Sequence, residues 1–282
     1  MPPAMKVDPS TVGYRTEPFY FEYDFRTTVL YALGVGATTD ELEYVYEGRG
    51  PEVLPSFAVV PAYAATNALF ERSGCELALV LHGGQTVRLH RPIPPAGKLS
   101  TIGVVKGIYD MKKFAQVVFE TQTSLGDERL FDTEWRMLVR DNGGFGGPRP
   151  PKAEAGHPPS DTPPTFTISA PTQPEQALIY RLSGDLNPLH ADPEVARAAG
   201  FERGPILHGL CTFDIVTRAL VRHLRGTGRS IRTIGAQFRK PVWPGEVVRT
   251  DGYDLGNGSF ALEAFAADRA EPVITNAFAQ VS

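Results

Sequence analysis

Between residues 205 and 223 the apolar residues Ile206, Leu210, Phe213, Val216 and Leu220 recur at three- and four-residue steps, the spacing that lines one side of an α-helix. A long helix with one buried face is expected there. Downstream, β-rich runs at 231–238, 247–253, 260–266 and 273–281 are separated by Pro-Gly, Gly-Asn-Gly and Glu-Pro turns. Upstream, 174–182 reads as a short helix, and Asp192-Pro193 supplies an N-cap and first helical residue for another that ends near Gly200. The C-terminal half is therefore expected to wrap strands around one central helix.

The N-terminal half repeats this order. Helical stretches at 25–33 and 59–70 precede strands near 77–89, 99–109, 114–124 and 130–139. Single residues echo too: Arg91-Pro92-Ile93-Pro94-Pro95-Ala96-Gly97 resembles Lys240-Pro241-Val242-Trp243-Pro244-Gly245, each following a nearby glutamine, Gln85 or Gln237. The pattern points to a duplicated unit. Between the copies, two runs rich in proline and glycine across 141–164 cannot sustain a helix or a central strand. The expected division is a first half at 1–145, a Pro/Gly-rich linker at 146–164 and a second half at 165–282.

Composition narrows the function classes. A chain of 282 residues can bury roughly 75% of its unfolded surface without staples. Its two cysteines, Cys75 and Cys211, stand far apart and outside any CxxC arrangement, so neither a disulfide framework nor a zinc site is signalled. With 28 Lys plus Arg against 32 Asp plus Glu and no block of like charge, nucleic acid is not an expected partner. No window approaches the ~18 uninterrupted apolar residues of a membrane span, residues 1–6 lead into no apolar leader, and 279–282 do not form a Ser-Lys-Leu type address. The expectation is a cytoplasmic chain with no membrane partner.

The chemistry concentrates at 180–213. There Tyr-Arg-Leu-Ser-Gly-Asp-Leu-Asn-Pro-Leu-His is followed, after a spacer, by Gly-Pro-Ile-Leu-His-Gly-Leu-Cys-Thr-Phe. Asp185, Asn187 and His190 bring a carboxylate, an amide and an imidazole within six residues, and Pro188 interrupts any helix entering the stretch. A helix starting near Gly209 would point free backbone N–H groups at an oxygen. An ordinary turn would use the same residues, since Asp and Asn bond their own backbone and Gly takes positive φ. Local composition fits both readings.

The halves differ at this place. When 30–38 is laid on 179–187, Gly36 falls on Asp185 and Thr38 on Asn187, and no histidine stands where His190 does. Only the second copy keeps an acid and a base, so the first is free to shape a pocket.

The joint pattern of 180–190 with 205–213 resembles the R-specific enoyl-CoA hydratases, the hydratase 2 group of the MaoC-like dehydratases. Further likeness lies at 29–38, at Leu81-His82-Gly83-Gly84-Gln85 and at Gly143-Gly144-Phe145-Gly146-Gly147. The resemblance implies an α+β double hot dog, two curved antiparallel sheets each wrapped around a helix, with the silent half widened for an acyl tail. It implies that Asp185 and His190 hold a water, that Asn187 orients it, and that the Gly209 N–H polarises a thioester carbonyl, so that water adds to trans-2-enoyl-CoA to give R-3-hydroxyacyl-CoA. His190 is the expected base. His82, Gly83, a lysine of the 110–113 turn (Lys112 or Lys113) and Phe238 would contact the acyl-CoA.

Coenzyme A is then part of the substrate, and no separate cofactor is expected. His208 is expected to be a structural hydrogen-bonder, while His82, His90, His157 and His223 show no ligand-like spacing with carboxylates, so no metal is expected. A homodimer is expected by analogy. Gly204 departs from the common family pattern by lengthening the turn before Gly209. Other readings are dehydration of 3-hydroxyacyl groups on acyl carrier protein or on steroid or polyketide thioesters, a thioesterase on the same fold, and a non-catalytic acyl-CoA binding module.

Overall fold

A computed structural model describes residues 7–282; the leader reading made on residues 1–6 lies outside the described residues. The first half runs β1 (Phe19–Tyr23), α1 (Phe25–Gly34), α2 (Leu42–Val45), α3 (Tyr63–Arg72), β2 (Val80–Leu89), β3 (Gly97–Asp110), β4 (Phe114–Leu125) and β5 (Glu128–Arg140). The second runs β6 (Phe166–Pro171), α4 (Gln176–Tyr180), α5 (Pro193–Ala198), α6 (Gly209–Leu224), β7 (Ile231–Phe238), β8 (Val247–Gly256), β9 (Ser259–Ala266) and β10 (Glu271–Val281). Asp24 starts α1 by accepting from the Arg26 N–H, and Asp192 starts α5 in the same way ahead of Pro193.

All ten strands join one antiparallel sheet in the order β1-β3-β4-β5-β2-β7-β10-β9-β8-β6. Read inward from either edge, each half follows the same path, its first strand outermost and its second strand at the centre. The halves meet where β2 pairs with β7, from Gly84 opposite Gln237 to Arg88 opposite Thr233. This is a double hot dog whose two sheets are fused edge to edge.

Three expectations need correction. The long helix begins at Gly209 rather than Pro205, because the Leu207 N–H is drawn to the Val242 carbonyl at 2.7 Å and His208 stays extended. It is also buried on every side from Leu210 to Leu220, since the sheet covers one face and the first half the other. The helix expected at 59–70 is broken: a 3-10 turn occupies Pro55–Val59 and α3 begins only at Tyr63, with Pro61, which has no N–H to give, between them. The edge strands β1 and β6 were not anticipated. Residues 146–164 hold no helix or strand, yet the connection is pinned by the Gly156 N–H on the Asn276 carbonyl and by Arg88 paired with Glu154.

The junction is reinforced above the sheet. α1 packs on α4, and Tyr31 and Tyr180, equivalent when 30–38 is laid on 179–187, face each other with ring centroids 6.2 Å apart. Arg218 of α6 holds Glu41 of the first half in a buried ion pair, its Nε 3.0 and 3.1 Å from the two carboxylate oxygens. Removing one partner from such a pair leaves a buried charge unanswered. Glu41→Ala should therefore cost about 3–5 kcal/mol, read as a lower urea midpoint at unchanged m-value, and Glu41→Leu with Arg218→Met should recover most of it.

Candidate active site

The chain reaches the site through a strained corner. After α4 a 3-10 turn at Arg181–Ser183 ends on Gly184, whose φ of 128° is open to glycine and hardly to other residues. A Cβ there would also stand 2.8 Å from the Tyr63 ring. Beyond it, the Asp185 carboxylate accepts from the Asn187 N–H at 3.2 Å, and Asn187 Oδ1 accepts from the Leu189 N–H at 3.0 Å, capping a 3-10 turn that Pro188 begins. The turn reading is realised in these residues. Asn187 is exposed and has committed its amide oxygen to the backbone, so what it offers a water is its NH₂ group.

His190 is buried, and its Nδ1 lies 2.9 Å from the Ile206 carbonyl oxygen. A carbonyl only accepts, so Nδ1 carries the proton and the Nε2 lone pair is left for a substrate or water. His208 stacks on this ring at 3.8 Å and donates Nε2–H to the Asp185 carbonyl at 3.2 Å. Burial holds His190 below the ordinary histidine range, against the pull of nearby Asp185. Burial and the neighbouring His190 ring push His208 down to about 2. Two neutral imidazoles can stack without charge repulsion.

The Asp185 carboxylate and the two imidazoles bring polar atoms within 4.8 Å of one another, a span that one water can bridge. These are metal-ligating residue types as well. Stacked rings, however, direct their in-plane lone pairs side by side rather than at one point, which suits a water better than a tetrahedral ion. A surface cleft of about 320 Å³, lined by His190, Ala191, Arg203, Pro205 and Trp243, reaches the imidazole from the second half.

Gly209 is the first residue of α6, and no side chain caps that helix end. Its N–H is part of the positive pole of the helix dipole and has no side-chain competitor among the described residues. Phe238 covers it, with ring atoms 3.5 Å from where a Cβ would stand. His82 lies beside Phe238, centroids 4.8 Å apart, and stacks on Trp135 at 5.4 Å. Burial lowers His82 to about 4, and its Nε2 has no partner among the described residues. Gly83 occupies a bulge in the β2–β5 ladder, close to the Arg136 carbonyl and the Leu138 side chain.

Asp185, His190 and His208 thus form one cluster and Gly209, Phe238 and His82 another, joined where His208 precedes Gly209 in the chain. Lys112 and Lys113 do not join it. They are exposed on the β3–β4 turn, at the same end of the sheet as His82 but two strands to the side, about 10 Å across the sheet, and a further four residues along it. Asp110 fixes that turn by accepting from the N–H groups of Lys112, Gly144 and Gly146. Tyr63, Trp135 and Asp214 were not expected at the site. Asp214 is fully buried on α6, accepts from the Tyr180 hydroxyl at 2.6 Å, and is pushed up to about 8 by burial. Tyr180 stood inside the recognised stretch, whereas Tyr63 and Trp135 lie in an expected helix and strand that carried no site motif.

Two family models match in tandem: the MFE-2 hydratase 2 N-terminal domain over residues 21–141 and the MaoC-like domain over 156–268. The chain is 41% identical to 3-hydroxyacyl-thioester dehydratase Y of Mycobacterium tuberculosis, covering 95% of each chain. It is 34% identical to the peroxisomal enoyl-CoA hydratase 2 of Arabidopsis thaliana, covering 82% of each. A MaoC-like dehydratase from Phytophthora capsici superposes with a TM-score of 0.86 at 25% identity over 98% of both chains.

The hydrogen bonds predict the proton positions. Nitrogen-15 spectra should show His190 as the Nδ1–H tautomer and His208 as the Nε2–H tautomer, with His208 still neutral when the pH is lowered from 7 to 5 and His190 taking its proton below the ordinary histidine range. The unfolded chain takes up these protons near pH 6.5 and the folded chain does not, so the buried imidazoles lose stability for the fold as pH falls from 6.5 towards 4.

Proposed function

Because the chain belongs to the hydratase 2 group of the MaoC-like dehydratases, we propose that it catalyses the reversible hydration of trans-2-enoyl-CoA to R-3-hydroxyacyl-CoA. The observation that carries the reading is the placement of the Asp185 carboxylate and the His190 imidazole within 4.8 Å, with Nε2 left free by the Nδ1–Ile206 bond.

In the hydration direction His190 Nε2 takes a proton from the water as its oxygen bonds C3. The C2–C3 π electrons move onto the thioester oxygen, and the Gly209 N–H holds the enolate, a contribution of about 3 kcal/mol for such a donor. C2 then receives a proton from the Asp185–His190 pair, and one water has been added. Asn187 orients that water through its NH₂. His82, Gly83 and Phe238 line the way to the thioester, and Lys112 or Lys113 meets the coenzyme A phosphates at the rim. In this reading the first half, 1–145, shapes the acyl pocket, 146–164 links, and 165–282 carries the chemistry.

The dehydratase likeness supports a second reading, the same chemistry run towards the enoyl thioester, with coenzyme A or acyl carrier protein as the handle. The family resemblance also supports a homodimer, which sedimentation tests, and cell fractionation tests the expected place in the cytoplasm.

Wild-type protein should hydrate crotonyl-CoA to the R product. Asp185→Asn and His190→Gln, folded as wild type by circular dichroism, should each lower kcat by about a hundredfold or more; wild-type rates in both would refute the assignment. Lys112→Ala and Lys113→Ala should together raise KM for enoyl-CoA and leave kcat in place. Rates on matched acyl-carrier-protein thioesters separate the two handles.

A further inference from the structure

The stretch from Arg203 to Gly209 carries two groups that the site uses: the Ile206 carbonyl, 2.9 Å from His190 Nδ1, and the N–H that opens α6 at Gly209. Residues 204–208 form no helix or strand, so their shape is set by what holds them. The segment before β8 holds them at two points. The Trp243 indole Nε1–H donates to the Gly204 carbonyl at 3.2 Å, and the Leu207 N–H donates to the Val242 carbonyl at 2.7 Å. Only Pro205 and Ile206 lie between these anchors. The indole is itself fixed: the Arg203 and Arg269 guanidinium groups lie over its ring at 4.1 and 5.1 Å, and the Glu246 carboxylate accepts from both and from the Trp243 backbone N–H. In the matching segment of the first half, 91–97, Pro94 stands where Trp243 does, and proline has no N–H to give. The indole brace belongs to the copy that holds the acid and the base.

An imidazole whose Nδ1–H meets a fixed carbonyl keeps its tautomer and the direction of its other nitrogen. We propose that Trp243 is a positioning residue of the active site: by holding the Gly204 carbonyl it sets the Ile206 carbonyl against His190 Nδ1, and so aims the Nε2 lone pair at the reacting water. Asp185 and His208 face the same imidazole, and both stay in place when Trp243 is changed. The effect on rate rests on the hydratase reading of the Asp185–His190 pair, while the link from the indole to the His190 Nδ1–H bond does not.

The test is Trp243→Phe, which keeps an aromatic ring beneath the two arginines and removes the indole N–H. Trp243 is half-buried, and the variant should fold as wild type by circular dichroism. In nitrogen-15 spectra the His190 Nδ1–H signal should shift and exchange faster with water, because the carbonyl it meets is held at one point instead of two. With crotonyl-CoA kcat should fall about fivefold, the worth of one hydrogen bond, while KM stays within about twofold. The acidic limb of kcat/KM should move to lower pH: the bond to Ile206 favours the protonated ring, and loosening it makes His190 less basic. A variant with wild-type kcat and an unmoved His190 signal overturns the proposal. So does a fall in kcat with the His190 signal unmoved, and a lower thermal midpoint with kcat and the acidic limb unchanged marks a packing role and overturns it too. A wild-type protein that hydrates no enoyl-CoA sinks the reading of the pair, and the His190 Nδ1–H signal then decides this one alone.

Discussion

The pairing of β2 with β7 is the constraint on which the rest of the molecule depends. Five residue pairs, from Gly84–Gln237 to Arg88–Thr233, turn two half-sheets into one. They also set His82 of one half beside Phe238 of the other, so the wall over Gly209 is built from both copies. Side chains alternate with a period of two, so slipping this ladder by one residue would turn every inward group on one side outward. The buried face of α6, the α1–α4 contact and the Glu41–Arg218 pair all presuppose the same register.

Within that frame the turn at 184–190 is held by its own polar groups. Asp185 and Asn187 fasten neighbouring N–H groups, His190 ties 190 to 206, and His208 ties 208 back to 185. The two histidines cross-brace a loop that has no sheet to lean on. Each uses one nitrogen for this, and the nitrogen left over on His190 is the one available to chemistry. Low pKa values follow from the same burial that makes the brace rigid.

Much of this was legible because it rests on local pattern. The strand over Ile231–Phe238 and the start of α1 at Phe25 lie where apolar spacing and turn residues put them. What escaped depended on distant contacts. Phe19–Tyr23 and Phe166–Pro171 are strands only because β3 and β8 offer them edges, and neither segment carries a pattern long enough to declare itself. The break in the helix at 59–70 follows from Pro61, a signal that was present and outweighed by apolar spacing. The burial of α6 on all sides reflects the second half-sheet and the first-half elements closing over it, which periodicity along one helix cannot report. At the site, the motif carried Asp185, Asn187, His190 and Gly209. Tyr63 arrives from more than a hundred residues away in the chain and looks like any core aromatic.

The loss of acid and base from one copy has a consequence for how the molecule fills with ligand. Two identical hot dogs paired edge to edge would own two equivalent sites across a shared junction, and occupancy of one could be felt at the other. Here the junction is present, while Gly36 and Thr38 stand where a second Asp185 and Asn187 would be. Within a single chain there is nothing left to cooperate with. With the single site proposed at residues 185–190, saturation would follow a simple hyperbola, and sigmoidal kinetics would have to come from another chain.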